Sequence, residues 1–427
     1  MKSSREAALA AIYEIEYNGA YSNIILKNVL SETKLDSRDR AFVSALVYGV
    51  TAKKRVLDYM ITELSSIKLK KISKYILIIL RMGLYQLKFM DKIPDSAAVN
   101  ESVRLARRYS HSASAGYVNG ILRNAAKTSF ALPEDLAVRE SFADENAKRL
   151  IMDYGERAEH IMAALNNEPK MTIRVNTLKT TVNQLKKQLE AVECPYCPEG
   201  LYVKKLDTSS SAEYDNGLFT VQDAAPMVAC KVLAPKKGDT VIDLCAAPGG
   251  KTTYLAELMG NNGNIYAFDI HSHRVALVRK NAKRLGIDII NAQEGDATVY
   301  NKEYKEVADK VLADVPCSGI GIARRKPELK YKTEVEELAG IQLAILTNGA
   351  KYLKKGGELV YSTCTLYRDE NEKVIEKFLE NNDGFELVSF AEYLPEGFSE
   401  DKAGIMTVLP DKTDCDGFFV AKLRRCV

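Results

Sequence analysis

The stretch Val241-Ile-Asp-Leu-Cys-Ala-Ala-Pro-Gly-Gly-Lys-Thr-Thr253 decides the fold of this chain. Its apolar start predicts a short buried strand, its small residues predict a tight turn, and a helical pattern follows through Leu258. A strand, a glycine turn and a helix bring backbone and a helix N-terminus close to a nucleotide-like ligand. The pair Gly249-Gly250 departs from the three-glycine dinucleotide fingerprint and from the phosphate-loop spacing. Because many α/β proteins carry such a turn for structural reasons, the residues that follow decide its function.

The sequence from about residue 224 onward alternates strand and helix patterns. This alternation predicts a doubly wound, Rossmann-like α/β sheet that binds its ligand at the carboxyl ends of the strands. Two further apolar segments predict an antiparallel pair at the end of the chain. The predicted strands are 241–244, 264–268, 287–292, 310–313 and 358–361, with helices at 273–285 and 338–353 and the terminal pair at 405–409 and 417–423.

The part of the chain before this sheet divides into two more regions. Residues 1–130 carry apolar stripes at helical spacing and no strand alternation, which predicts an all-helical domain. Short strand patterns at 171–176, 200–203 and 217–221, with a helix at 182–189, predict a small α+β segment. We therefore predict a multi-domain chain: an all-α domain over 1–135, a small α+β (RRM-like) connecting domain over 136–222, and the α/β domain over 223–427.

Composition limits the classes of function. A chain of 427 residues is too long for one ordinary hydrophobic core, so it is expected to form more than one domain. Its 60 Lys and Arg against 57 Asp and Glu give a net charge of only +3. Overall charge therefore does not indicate nucleic-acid binding, and the charged start of the sequence does not predict a signal peptide. Eight cysteines in so long a chain argue against a disulfide framework, and Cys194 and Cys197 favour surface-loop cysteines over a metal site because no second pair follows. These observations predict a cytoplasmic protein that does not associate with membranes.

An acidic residue stands at or near the end of four predicted strands: Asp243, Asp269, Asp296 and Asp314. The carboxyl ends of parallel strands meet at one edge of the sheet, so these carboxylates are expected to line one cleft. Asp269 follows the glycine turn by about 20 residues, the spacing at which an acid binds ribose hydroxyls. Any one of the four has an alternative role as a helix N-cap. Four together favour a cofactor that contains a nucleoside.

Two cysteines follow the ends of two predicted strands. Asp314-Val-Pro-Cys-Ser-Gly319 closes one strand and Tyr361-Ser-Thr-Cys-Thr365 closes another, which places Cys317 and Cys364 on neighbouring loops above the cleft. A thiolate there is a candidate nucleophile, because a polar loop or a helix N-terminus lowers a thiol pKa. A lone cysteine is more often a small apolar residue, but two at matching positions favour chemistry.

These motifs together resemble the RNA 5-methylcytosine methyltransferases that use S-adenosylmethionine. The resemblance covers about residues 170–427, and the helical front part is similar to the NusB type of RNA-binding domain. In combination, the two similarities imply a methyltransferase domain over 223–427 that acts on small-subunit (16S) ribosomal RNA. The motifs that carry the resemblance are Leu244-Cys-Ala-Ala-Pro-Gly-Gly-Lys-Thr252, Asp314–Gly319 and Ser362–Thr365, with Arg174-Val-Asn176, Gln222-Asp-Ala-Ala225 and Asp416-Gly-Phe-Phe419 as lesser motifs.

The resemblance also implies a mechanism with named residues. Cys364 attacks carbon 6 of cytosine, which makes carbon 5 nucleophilic enough to take the methyl group, and Cys317 assists product release. Asp314 hydrogen-bonds the cytosine near nitrogen 3. The cofactor-binding residues implied are Cys245, Ala246, Ala247, Pro248, Gly249, Gly250 and Lys251 in the turn, Asp269 on the ribose, Asp296 beside the adenine, and Asp314.

A base must leave its stack to enter such a pocket, so single-stranded or loop RNA is the expected substrate. Arg324, Arg325 and Lys326 follow the Pro-Cys loop in the sequence and are candidates for flanking phosphates, against the alternative of an ordinary solvated loop. The expected partner is naked or incompletely assembled ribosomal RNA, bound by a monomer. A transfer RNA substrate and a non-catalytic RNA-binding or transcription factor are the alternatives.

Overall fold

The computed structural model describes residues 3–204, 206–208, 210–333 and 338–427. The chain forms two compact units, Met1–Asn166 with Ala323–Glu334, and Asn167–Ile322 with Val335–Val427. Among the described helices, none has the length and apolar character needed to cross a bilayer. The domain boundaries near residues 135 and 222 stay a prediction.

The first unit is helical, as the apolar stripes predict. Helix α1 begins at a capping box in which Ser3 and Glu6 bond each other's backbone N–H groups, and it ends at Gly19 with a φ of 70°. Small and branched apolar residues of the helices form one core. The helices are α1 (Ser4–Asn18), α2 (Ser22–Ser31), α3 (Ser37–Ala52), α4 (Lys54–Leu64), α5 (Lys74–Phe89), α6 (Asp95–Tyr109), α7 (Ser112–Lys127), α8 (Leu136–Arg139), α9 (Asp144–Tyr154) and α10 (Arg157–Ala164).

A segment from the second half of the sequence completes this helical unit. We call residues 323–333 the crossover segment, because the chain leaves the second unit before it and returns after it. Lys330 is fully buried and donates to Asn166 Oδ1 at 2.6 Å, while Glu328 accepts the Ser22 N–H at 3.0 Å. Burial lowers the pKa of Lys330 well below its ordinary value. The crossover segment is therefore part of the core of the helical unit.

The second unit begins with a small antiparallel sheet. Its strand order is β2-β3-β1-β4, and β1 pairs with both β3 and β4. The sequence did not predict β2, since it has only two residues and both are exposed. The α+β prediction is confirmed. The elements are β1 (Met171–Val175), α11 (Val182–Gln188), β2 (Val192–Glu193), β3 (Gly200–Val203), α12 (Ala212–Asp215) and β4 (Phe219–Val221).

A large mixed sheet forms the rest of the second unit. Its order is β10-β12-β9-β8-β5-β6-β7, with β11 paired to β12, and the strands from β9 to β7 are parallel. The α/β prediction is confirmed. The elements are α13 (Ala224–Leu233), β5 (Thr240–Asp243), α14 (Gly250–Leu258), β6 (Asn264–Asp269), α15 (Ser272–Leu285), β7 (Ile290–Glu294), β8 (Ala308–Asp314), α16 (Leu338–Tyr352), β9 (Leu353–Thr363), α17 (Glu372–Glu380), β10 (Phe385–Leu387), β11 (Ile405–Val408) and β12 (Phe418–Arg425).

The order of the strands reverses at β5, which has β6 on one side and β8 on the other. Ligands of open α/β sheets bind in the crevice at the carboxyl ends of the strands beside such a reversal. Two apolar clusters pack against the two faces of the sheet, because successive strand residues point to opposite faces. One cluster contains Val241 and Leu312, and the other contains Ile242 and Val311. The turn after β5 therefore lies where the topology favours a ligand.

Cys194 and Cys197 are buried, so their interpretation as surface-loop cysteines is wrong. Cys197 Sγ lies 3.2 Å from Glu199 Oε2 and 3.5 Å from the Tyr254 hydroxyl. Burial raises the pKa of Cys197 to about 12, so the thiol stays protonated. No group of three or more metal-ligating side chains gathers within the described parts of the chain. These two cysteines pack the core beside the small sheet.

Candidate active site

The turn between β5 and α14 has a shape that requires glycine. Gly249 has a φ of 100°, and a Cβ there would lie 3.2 Å from Val278 Cα, so any other residue would be both strained and crowded. The Ala247–Pro248 peptide bond is cis. Gly249 is also the N-cap of α14 and has no side chain with which to cap it. The first N–H groups of the helix therefore lack a side-chain cap and suit a polar or anionic group.

Asp243 ends β5 beneath this turn and is almost completely buried. Its Oδ2 atom accepts a hydrogen bond from Thr252 Oγ1 at 2.7 Å, and its Oδ1 atom is buried without a hydrogen bond to any described residue. Burial raises the pKa of Asp243 to about 7. An unpaired buried carboxylate oxygen fits a ligand that brings hydrogen-bond donors or positive charge.

Asp269 ends β6 and Asp296 follows β7 at the same edge. Asp269 is buried, accepts the His271 N–H at 3.1 Å and lies 3.3 Å from Arg274 Nη1. The Gly295 N–H donates to the Asp269 carbonyl oxygen at 3.1 Å, which joins the ends of β6 and β7. Asp296 is exposed and accepts the Thr298 N–H at 2.8 Å. Both carboxylates are therefore held in place, one within the edge and one at its surface.

Lys251 and Asp314 join the turn to the strands β8 and β9. Lys251 Nζ lies 2.6 Å from Asp314 Oδ2, and Ser362 Oγ donates to Asp314 Oδ1 at 2.7 Å. Burial disfavours the ammonium group, but the neighbouring Asp314 outweighs it and raises the pKa of Lys251. Lys251 therefore stays charged and holds Asp314 in one orientation. The Asp314 carboxylate on β8 therefore connects the turn after β5 with strand β9, which is distant in sequence from both.

Cys317 and Cys364 lie side by side above the same edge. Because β8 and β9 are parallel neighbours, Asp314 pairs with Ser362 and the two loops that follow run together. The two Sγ atoms are 3.2 Å apart. The hydrogen bond with Cys364, followed by burial, raises the pKa of Cys317 well above its ordinary value. Cys317 is therefore a neutral thiol that can donate to the Cys364 sulfur.

A buried polar network that sequence reasoning missed supports the two cysteine loops. Glu370 Oε2 accepts the Ser318 N–H at 2.8 Å and Gln342 Nε2 at 3.1 Å. Asn371 accepts from Thr363 Oγ1 at 2.6 Å. Gln342, Glu370 and Asn371 lie outside the motifs, and only Gln342 gives a local signal, as a polar residue within the apolar helix α16.

Two glycines bring the end of the chain against the cysteine loops. The Gly321 N–H donates to the Cys364 carbonyl oxygen at 3.0 Å, and the Gly417 N–H donates to the Gly321 carbonyl oxygen at 2.9 Å. Next to them, the Asp416 N–H donates to Asp223 Oδ2 at 3.1 Å. The lesser motifs that contain Asp223 and Asp416 therefore contact each other beside the site.

Arg324, Arg325 and Lys326 belong to the crossover segment and so to the helical unit. All three are half-buried, and Lys326 Nζ lies 5.3 Å from the ring centroid of Tyr21. Their contact with RNA stays a prediction.

Family models match the chain in three places: the NusB family over residues 2–127, the ferredoxin-like domain of RsmF/B-like methyltransferases over 147–207, and the 16S rRNA methyltransferase RsmB/F over 230–424. A relative, the probable ribosomal RNA small subunit methyltransferase B of Bacillus subtilis (strain 168), is 38% identical over 99% of this chain and 99% of its own length. The chain belongs to the RsmB/F family of 16S rRNA methyltransferases. This RsmB/F protein is therefore an rRNA methyltransferase, and the predicted family and enzyme class are confirmed.

Two solved structures are similar to this RsmB/F protein. The crystal structure of PH0851 is 28% identical, with a TM-score of 0.82 over 98% of both chains. The structure of NSun6 from Pyrococcus horikoshii with SFG is 27% identical, with a TM-score of 0.59 over 67% of this chain and 99% of that chain. The first similarity covers the helical unit as well as the sheets, which confirms the multi-domain fold class.

Proposed function

We propose that this RsmB/F protein transfers a methyl group from S-adenosylmethionine to carbon 5 of a cytosine in small-subunit (16S) ribosomal RNA. The observation that carries the proposal is the pair of cysteine sulfurs 3.2 Å apart, next to the carboxylate of Asp314. Methylation of nitrogen or oxygen needs no thiol, whereas carbon 5 of cytosine is too weak a nucleophile to react unaided. A cysteine pair beside the cofactor turn therefore favours the carbon 5 reaction.

The cofactor proposal rests on the turn and the acidic edge. We propose that residues 245–251 hold S-adenosylmethionine, with Asp269 on the ribose hydroxyls and Asp296 beside the adenine. The unpaired Oδ1 atom of Asp243 and the glycine-only shape at Gly249 both fit a close-lying ligand of this kind. When bound, the cofactor supplies an electrophilic methyl group on a positively charged sulfur.

In the proposed mechanism, Cys364 adds as a thiolate to carbon 6, and the sulfur–carbon bond forms as the ring electrons move toward carbon 5. Asp314, held by Lys251 and Ser362, hydrogen-bonds the cytosine near nitrogen 3 and supports protonation of the ring. After methylation a base removes the carbon 5 proton, and those electrons expel the Cys364 thiolate. Cys317, a neutral thiol in contact with Cys364, assists this release by stabilising the departing sulfur.

We propose that Arg324, Arg325 and Lys326 bind phosphates that flank the target base, and that the protein acts as a monomer on naked or incompletely assembled ribosomal RNA. Phosphate contacts from Arg and Lys supply much of the affinity for RNA. The proposal predicts that the affinity for RNA falls with rising salt and that the triple alanine variant shows a shallower salt dependence.

The two cysteines give the decisive test. The Cys364→Ala variant is expected to lose methyl transfer to 16S ribosomal RNA, whereas Cys317→Ala is expected to form an RNA adduct that survives a denaturing gel. The exposed Cys426 provides a matched control, since Cys426→Ala should keep full activity without an adduct. Normal turnover by Cys364→Ala would overturn the covalent mechanism. Bisulfite sequencing of ribosomal and transfer RNA from a deletion strain then identifies the class of RNA that loses protection.

A further inference from the structure

Arg174 lies in β1, near its end, in the small sheet and is completely buried. A buried guanidinium has five N–H donors to satisfy, and each of its three nitrogens has an acceptor here. Nε donates to Glu257 Oε2 at 3.1 Å, Nη1 to Gln222 Oε1 and to the Gly250 carbonyl oxygen at 2.7 Å, and Nη2 to Thr253 Oγ1 at 3.0 Å and Glu257 Oε1 at 2.9 Å.

The acceptors of Arg174 are concentrated on one element. Gly250, Thr253 and Glu257 occupy successive turns of α14, the helix that follows the cofactor turn. The guanidinium carbon also lies 4.7 Å from the ring centroid of Tyr254 on the same helix. Arg174, on a strand of the small sheet, therefore holds the first two turns of α14 through hydrogen bonds.

The cofactor turn needs such an external support. Gly249 and Gly250 have no side chains, and glycine has more backbone freedom than any other residue, so hydrogen bonds from neighbouring residues must help to hold the shape of the turn. Thr253 Oγ1 donates to the Gly249 carbonyl oxygen at 2.7 Å while it accepts from Arg174. A chain of hydrogen bonds thus runs from Arg174 on β1 through Thr253 to Gly249, the glycine of the turn with a positive φ.

We infer that Arg174 is a positioning residue of the cofactor site, which fixes the turn at residues 245–251 through α14 and makes the small sheet a structural part of that site. The inference rests on the proposed function, in which this turn holds S-adenosylmethionine. Glu257 is the fixed counter-charge, since its side chain is 1% exposed and bonds two nitrogens of the guanidinium. The planar fork of arginine is essential, because a lysine ammonium cannot reach Gln222, Gly250 and Glu257 together.

The variant Arg174→Lys tests the inference. We expect its dissociation constant for S-adenosylmethionine, measured by calorimetry, to rise by about tenfold or more, because the substitution removes hydrogen bonds of a charged group that hold α14 and the turn. Its affinity for ribosomal RNA in filter binding should change by less than about twofold. In the cofactor-free protein, hydrogen exchange should accelerate at the amides of residues 249–254 and remain unchanged in β8 and β9.

Arg284 on α15 supplies the matched control. It also donates to the small sheet, at 2.9 Å to the Phe219 carbonyl oxygen and at 2.8 Å to Thr220 Oγ1, but its hydrogen bonds do not go to α14. Arg284→Lys should therefore keep the affinity for S-adenosylmethionine and the exchange rates of residues 249–254. An equal loss of affinity in both variants would overturn the inference and indicate a general role of the small sheet in stability.

The remaining outcomes are also distinct. If the unmodified protein does not bind S-adenosylmethionine, the proposed function fails. If it binds and Arg174→Lys binds equally well with unchanged exchange, the inference about Arg174 fails. Should Arg174→Lys not fold, the milder Glu257→Gln keeps the shape of the pair, and it should still weaken cofactor binding and accelerate exchange at residues 249–254. Unchanged binding and exchange in Glu257→Gln would overturn the inference.

Discussion

At Gly321, backbone atoms of two other segments pack closely against the loop that follows Cys317. A Cβ atom there would overlap the Gly417 carbonyl oxygen and lie 2.8 Å from the Cys364 carbonyl oxygen. These are backbone atoms that cannot move aside, so Gly321→Ala must displace one of the cysteine loops. We expect it to cost about 1–3 kcal/mol of stability and to reduce methyl transfer. Thermal unfolding and an activity assay on 16S ribosomal RNA measure both effects.

Gly340 is the control for this substitution. It is exposed on α16, and a Cβ there meets open space. Gly340→Ala should leave activity unchanged and stabilise the helix by up to about 1 kcal/mol, because alanine favours helix more than glycine. Equal destabilisation by the two substitutions would contradict the role assigned to Gly321.

Residue roles could be predicted from the sequence only where a motif and a strand end coincide. Asp314, Cys317 and Cys364 follow predicted strands, so their common edge was accessible from topology alone. Arg174 stands in a lesser motif and in a predicted strand, but a strand pattern does not reveal which distant helix a buried guanidinium contacts. The same reason hides Glu370, whose partners come from the Cys317 loop and from helix α16, both far away in sequence.

Among the elements of the large sheet, the Glu358 carboxylate forms ion pairs that connect three neighbouring strands. Glu358 on β9 lies 2.5 Å from Lys310 Nζ on β8, and 3.1 Å and 3.0 Å from Lys422 Nζ and Arg424 Nη2 on β12. Burial raises the pKa of Glu358, but the three cations outweigh it and lower the pKa to about 2.

The free energy of unfolding should therefore depend on the ionisation of Glu358. The folded pKa lies below the unfolded value of about 4.5, so the stabilisation is complete above pH 4.5 and is lost as the pH falls toward 2. In urea unfolding, the stability difference between the unmodified protein and Glu358→Gln should be largest near pH 7 and shrink below pH 4.5. The exposed Glu380 is the control, and a pH-independent difference for Glu358→Gln would contradict the assignment.

Strand and helix patterns predicted most elements of both sheets, because alternation and apolar runs are local, but they missed the short strands β2 and β10. The ends of elements were less accurate: β7 begins at Ile290, three residues later than the pattern indicates. The crossover segment was not predicted at all. Its 3₁₀ turn at Pro327–Tyr331 is short, and nothing local in the sequence tells which core a short segment joins.

At the scale of the whole molecule, the crossover segment makes the helical unit depend on a distant part of the chain. Lys330 Nζ donates to the Ala52 carbonyl oxygen at 2.5 Å and to Asn166 Oδ1 at 2.6 Å, and Ala143 donates to the Lys330 carbonyl oxygen at 2.9 Å. Lys330→Ala removes the donor, leaves buried acceptors unpaired and opens a cavity. We expect a loss of about 2–4 kcal/mol in the unfolding of the helical unit, measured by calorimetry.

The exposed Lys148 on α9 is the control for this prediction. Lys148→Ala keeps the core of the same unit intact and should change stability by less than about 0.5 kcal/mol. If Lys330→Ala proved equally harmless, the crossover segment would not be a structural part of the helical unit.

The crossover segment also determines the order in which parts of this protein can fold while the chain is being translated. Residues 167–322 are synthesised between α10 and the segment that completes the helical unit. At about 5–20 residues per second, the nascent helices wait roughly 10 to 30 s for the side chains that fill their core. Glu328 then caps the N–H of Ser22, near the other end of the chain. The part of the protein that is made first is therefore finished only after the loop with Cys317 has been synthesised.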